Sequence, residues 1–128
     1  MERLDLYKCD ICGNVVEVIL NGNGELVCCG QPMKKMEAQQ QEEAMMEKHI
    51  PVFVSLDGGY QEVRVGEVLH PMLPEHYIMF IETISKDKSQ TQLKFLKPGE
   101  EPKMLLKDSF GEAIAREYCS IHGLWQSK

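Results

Sequence analysis

Five cysteines and four histidines stand out in this chain, and they are divided unevenly along it. Cys9, Cys12, Cys28 and Cys29 lie in the first 29 residues, whereas His49, His70, His76, Cys119 and His122 all follow residue 48. Thiolates are soft ligands and imidazoles suit several transition metals, so the two sets differ in the ion each would hold. An odd number of cysteines argues against a disulfide framework.

The first set is a Cys9-x-x-Cys12 knuckle followed, after fifteen intervening residues, by the adjacent pair Cys28-Cys29. Four thiolates satisfy a tetrahedral soft-metal site, either zinc or a single iron. The knuckle lets two sulfurs converge while backbone amides point at them. The adjacent pair requires more of the chain. Neighbouring residues in an extended segment face opposite ways, so the backbone must twist to aim both sulfurs at one ion. Spacing alone leaves a zinc staple without redox chemistry open beside an electron-transfer iron.

The second set is looser in sequence. His70-Pro71 and His76-Tyr77 bracket Met72-Leu73-Pro74-Glu75, a loop that fits no regular element; Cys119-Ser120-Ile121-His122-Gly123 is a CxxH knuckle closed by glycine; His49-Ile50-Pro51 opens the segment. A lone histidine in a small domain more often hydrogen-bonds or faces solvent than ligates. Five candidates in loop-like settings, confined to one part of the chain, favour a metal site. Four nitrogens and a sulfur exceed the four ligands of a structural zinc. They suit an octahedral ion such as iron with one position open, and chemistry happens at an open position. The other arrangement places three histidines and Cys119 around zinc and leaves one histidine idle.

The elements that must position these residues are mostly strands. Residues 1–36 read as a small unit: Val15 to Leu20 is a strand, Asn21-Gly22-Asn23-Gly24 a turn, and Leu26-Val27 deliver the second cysteine pair. So short a segment needs a staple, and metal is the one available. Residues 37–47, polar and free of Gly and Pro, read as a linker, and residues 48–128 as a second domain. There Pro51 to Leu56 and Tyr60 to Val65 flank the hairpin signal Asp57-Gly58-Gly59. Further strands are expected over Tyr77 to Ile84, Thr91 to Leu96 and Met104 to Leu106. Glu112 to Tyr118 has helical propensity but strand neighbours, and is read as a strand. Short strands at turn-separated intervals suggest a small β-sandwich.

Apolar residues make up 43% and charged residues 27% of the 128, a globular composition. No apolar run approaches the roughly 20 residues of a membrane span. Met1-Glu2-Arg3-Leu4-Asp5 has no basic stretch leading into an apolar core, so a cytoplasmic protein is expected. The net charge is −6, and nothing in the sequence points to nucleic acid, which usually wants a basic face. That charge would also repel an anionic substrate unless a local positive spot attracted one.

Taken together, Tyr7-Lys8-Cys9-Asp10-Ile11-Cys12-Gly13-Asn14, Leu26-Val27-Cys28-Cys29, Glu47-Lys48-His49-Ile50-Pro51, His70-Pro71-Met72, His76-Tyr77-Ile78 and Arg116-Glu117-Tyr118-Cys119-Ser120-Ile121-His122-Gly123 resemble the desulfoferrodoxins, the two-iron class of superoxide reductase. The resemblance spans essentially the whole chain, with no ligand position missing. It implies a mainly β protein in which a rubredoxin-like or desulforedoxin-like module, with Cys9, Cys12, Cys28 and Cys29 on one iron, precedes an immunoglobulin-like β-sandwich. It also implies a second iron with His49, His70, His76 and His122 in its equatorial plane and Cys119 as axial ligand, the position opposite Cys119 being open to superoxide. Lys48 would attract the anion, and Glu47 would act as a lid carboxylate that displaces the product. The activity implied is one-electron reduction of superoxide to hydrogen peroxide, by a homodimer drawing electrons from rubredoxin or a flavin reductase. A non-catalytic electron carrier and a zinc-stapled binding module are the competing readings.

Overall fold

The computed structural model describes residues 1–41, 48–66, 70–106 and 111–128. The chain divides into two units, Met1–Glu37 and Ala38–Lys128, and is mainly β, as expected. Among the described residues no helix is long and apolar enough to cross a membrane.

In the first unit, β1 (Leu6–Lys8) is the middle strand of a three-stranded sheet between β2 (Val15–Glu17) and a two-residue strand at Lys34–Lys35. Between them, β3 (Val27–Cys28) and β4 (Gln31–Pro32) form a separate hairpin; the Lys34–Lys35 strand is therefore β5. The expected strand over Val15 to Leu20 is shorter than its apolar run because Ile19 and Leu20 are exposed and pair with nothing in the sheet. The buried apolar side chains are few: Leu4, Leu6 and Val18, with Cys9 beside them.

The second unit is a sandwich. One sheet has the order β10-β7-β6, from β6 (Pro51–Ser55), β7 (Gln61–Val65) and β10 (Lys103–Leu105). The other has the order β12-β11-β8-β9, from β8 (Ile78–Ser85), β9 (Thr91–Phe95), β11 (Ala113–Cys119) and β12 (Gly123–Gln126). All the pairings in both are antiparallel. The β6–β7 hairpin turns through Asp57–Gly59, where Gly58 and Gly59 take positive φ of 77° and 81°. That conformation costs glycine little. Val63, Val65 and Met104 from the first sheet meet Ile78, Ile81, Ala115 and Cys119 from the second in one core. Cys119 therefore belongs both to the core and to the candidate site. Within the larger sheet Glu82 is buried against Arg116, whose Nε and Nη2 donate to Glu82 Oε1 at 2.8 and 2.7 Å. Thr91 Oγ1 donates to the other carboxylate oxygen at 2.9 Å. A buried carboxylate is tolerated when it is paired and hydrogen-bonded in this way.

Of residues 37–47, read as linker, Gln39 forms a parallel bridge to Trp125 and so belongs to the second unit. Residues 42–47 lie outside the described residues, and with them Glu47.

Candidate metal centres

The structure brings the sequence-predicted ligands into two clusters, each with its donor atoms within 4.8 Å of one another. The first cluster comprises Cys9, Cys12, Cys28 and Cys29. Its knuckle is closed by backbone hydrogen bonds from Gly13 N–H to Cys9 C=O and from Cys9 N–H to Asn14 C=O, both 2.9 Å. Cys12 Sγ lies 3.6 Å from Cys28 Sγ, and Cys28 Sγ lies 4.0 Å from Cys29 Sγ. Adjacent cysteines converge because Cys29 takes the left-handed conformation, φ 54°, with Gly30 following at 75°.

The electrostatics of this cluster call for a cation. Backbone amides of Cys12 and Ile11 aimed at Cys9 pull its thiol down to about 7. Hydrogen bonds within the cluster, that from Cys12 first, push Cys29 up to about 12 and also raise Cys28. Four such close thiols cannot all ionise without a positive ion, and a metal ligand must be the thiolate. Four soft donors in a tetrahedral set suit iron or zinc.

The second cluster is built by three segments. The chain just before β6 supplies His49. The loop between β7 and β8 supplies His70 and His76, and within it Leu73 and His76 exchange backbone hydrogen bonds of 2.9 and 3.0 Å in a tight turn over Pro74-Glu75. The β11–β12 hairpin supplies Cys119 and His122. A register shift after Tyr118 turns Cys119 into the core, where it pairs with Gly123. Gly123 takes a φ of 83°, which lets the chain reverse in three residues. Ser120 pins the loop to the hairpin: its N–H donates to Tyr77 C=O at 2.9 Å, and its Oγ accepts from Tyr77 N–H at 3.1 Å.

The four imidazoles form a closed ring. His49 and His70, His70 and His76, and His49 and His122 have ring centroids 4.7 Å apart, and His76 and His122 are 5.2 Å apart. His49 Nε2 lies 3.1 Å from both His70 Nε2 and His122 Nδ1. Nitrogens about 2.1 Å from a common metal at the corners of a square would be about 3.0 Å apart. Cys119 Sγ lies 3.6 Å from His70 Nε2 and 3.8 Å from His122 Nδ1. His49 and Cys119 are 0% exposed. Four neutral nitrogens and one thiolate fit an iron ion that accepts both imidazole and sulfur. The five donors come together in one cluster, which argues against the reading that leaves one histidine idle.

Three features around the ligands have no motif in the sequence. His70 Nδ1 is 2.7 Å from its neighbour's carbonyl, Pro71 O, as a donor, which fixes the tautomer and leaves Nε2 as the ligating atom. Trp125 stacks on His49 with centroids 4.7 Å apart and planes 14° apart. Trp125 and Gln39 both donate to the His122 carbonyl. A lone Trp three residues after a ligand was a usable signal; a glutamine in a polar run was not. Lys48 is half-buried and immediately precedes His49.

Comparison with known proteins agrees with this geometry. Residues 1–36 match the family model for the desulfoferrodoxin N-terminal domain, and residues 41–128 that for desulfoferrodoxin. The chain is 50% identical over 127 residues to a desulfoferrodoxin of Desulfarculus baarsii, covering 99% of this chain and 98% of that one. A 31-residue stretch is 58% identical to desulforedoxin of Megalodesulfovibrio gigas, covering 24% of this chain and 84% of that one. The crystal structure of the superoxide reductase from Treponema pallidum superposes with a TM-score of 0.73 at 25% identity, covering 98% of both chains.

Proposed function

The chain belongs to the desulfoferrodoxin family, and on that footing we propose that it is a superoxide reductase whose working site is the His49, His70, His76, His122 and Cys119 cluster. The observation that carries the reading is the closed ring of four imidazoles with one buried thiol against it. The reaction adds one electron and two protons to superoxide and releases hydrogen peroxide. These five side chains would hold an iron ion, which would supply one-electron redox chemistry beside the substrate. The imidazoles would be neutral ligands, and Cys119 as thiolate would add one negative charge and soft, electron-rich character. Core packing around Cys119 keeps water from that sulfur.

The remaining roles extend this reading. Lys48 is the cation that draws superoxide toward a chain of net charge −6. Glu47 is the carboxylate that displaces product. Residues 1–36 carry the second iron on Cys9, Cys12, Cys28 and Cys29, a role supported by the likeness to desulforedoxin. The segment read as linker, 37–47, leads from that module into the reductase domain, to which Gln39 already belongs. The protein works as a cytoplasmic homodimer and takes electrons from rubredoxin or a flavin reductase.

Rapid mixing of the reduced, iron-loaded protein with superoxide tests this reading. Oxidation should be fast and should slow as salt screens the attraction. In Lys48→Ile the rate at low salt should fall by about tenfold, the lower end of what electrostatic steering contributes, and its salt dependence should flatten. No reaction in the wild type would end the functional reading; an unchanged rate in the variant would end the role of Lys48.

A further inference from the structure

The His122 carbonyl oxygen accepts two side-chain hydrogen bonds, from Gln39 Nε2 at 2.8 Å and from Trp125 Nε1 at 3.1 Å. Gln39 is itself held firmly. Its N–H donates to Leu124 C=O at 2.9 Å, its carbonyl accepts from Gln126 N–H at 3.0 Å, and its side-chain amide also reaches Leu124 O at 3.3 Å. The amide lies over Gly123, 3.5 Å from where a Cβ would stand. Gln39 is thus fixed across the open edge of β12, opposite Trp125.

His122 differs from His49 and His70 in facing the cluster through Nδ1 rather than Nε2. Nδ1 is the ring nitrogen nearer the backbone, so a small movement of the peptide displaces it with little room for the side chain to compensate. The same indole that caps the carbonyl also stacks on His49, the ring next to His122.

We propose that Gln39 is a positioning residue for the metal centre: together with Trp125 it holds the His122 carbonyl and so aims Nδ1 of His122 at the ion. The inference rests on reading the cluster as a metal site. Removing a hydrogen bond that orients a ligand costs about 10–100-fold in metal affinity.

The test uses the full-length, iron-loaded protein and two variants. Gln39→Glu keeps the shape but replaces the donor with an oxygen facing the carbonyl; Gln39→Met removes the donor without adding charge. Three quantities are followed: iron release from the His/Cys centre to a ferrous chelator, the visible band of that centre's ferric form, and the thermal midpoint. The expected result is release about tenfold faster in both variants, with a shifted band and a midpoint close to the wild type's. Release and band both unchanged would overturn the inference. Faster release with an unmoved band would also overturn it, since that marks general loosening. A wild-type chain that binds no iron at this cluster would overturn both this inference and the site reading beneath it.

Discussion

Replacing Cys119 by serine should abolish superoxide reduction while leaving the four-cysteine centre coloured. Cys119 is completely buried, and its sulfur lies 3.6 Å from His70 Nε2 and 3.8 Å from His122 Nδ1. A serine oxygen fits the same space, so the sandwich should still form. The hydroxyl, however, does not ionise near neutral pH and is a hard ligand where a soft anion is required. The loss should exceed the roughly 10–100-fold that follows when only a partner of a ligand is removed. The thiolate-to-iron absorption of the His/Cys centre should vanish with the activity. A serine variant of full activity would show that the sulfur is not needed for electron transfer.

Cys28→Ser should undo the N-terminal unit. That unit rests on strands of two or three residues and buries only Leu4, Leu6 and Val18 beside Cys9. Ile19 and Leu20 are 64% and 79% exposed. So little apolar burial cannot offset backbone ordering that costs about 1–2 kcal/mol per residue. Metal binding, worth roughly 10–16 kcal/mol in small structural sites, can. In the variant, amide protons of residues 1–37 should lose their exchange protection, whereas those of β8 and β11, which have a core of their own, should keep it. Retained protection in the first unit after loss of its metal would mean that the polypeptide alone holds it together.

Much of this architecture is legible in the sequence because glycines, prolines and ligand motifs punctuate it. Asp57-Gly58-Gly59 marks the β6–β7 turn. Over Glu112 to Tyr118 local propensity and context disagree, and context decides: β8 and β12 flank β11 and accept its backbone hydrogen bonds. β12 is hard to foresee. Leu124 and Trp125 are both buried, so the alternation that betrays a half-exposed strand is absent. The ligands themselves are conspicuous, since few other roles gather four histidines and a cysteine in loops. What supports them is not. Gln39 acts on a carbonyl 83 residues away, and the Pro71 carbonyl that sets the His70 tautomer is a backbone group. Neither contact leaves a mark in spacing or periodicity.

The measurement that bears most directly on the central claim is the product balance when pre-reduced, iron-loaded protein meets superoxide in limiting amount. The account predicts one hydrogen peroxide for each superoxide consumed, one electron lost from the protein each time, and no oxygen evolved. Oxygen and peroxide in equal amounts, with the protein's electrons unspent, would identify a dismutase and contradict it.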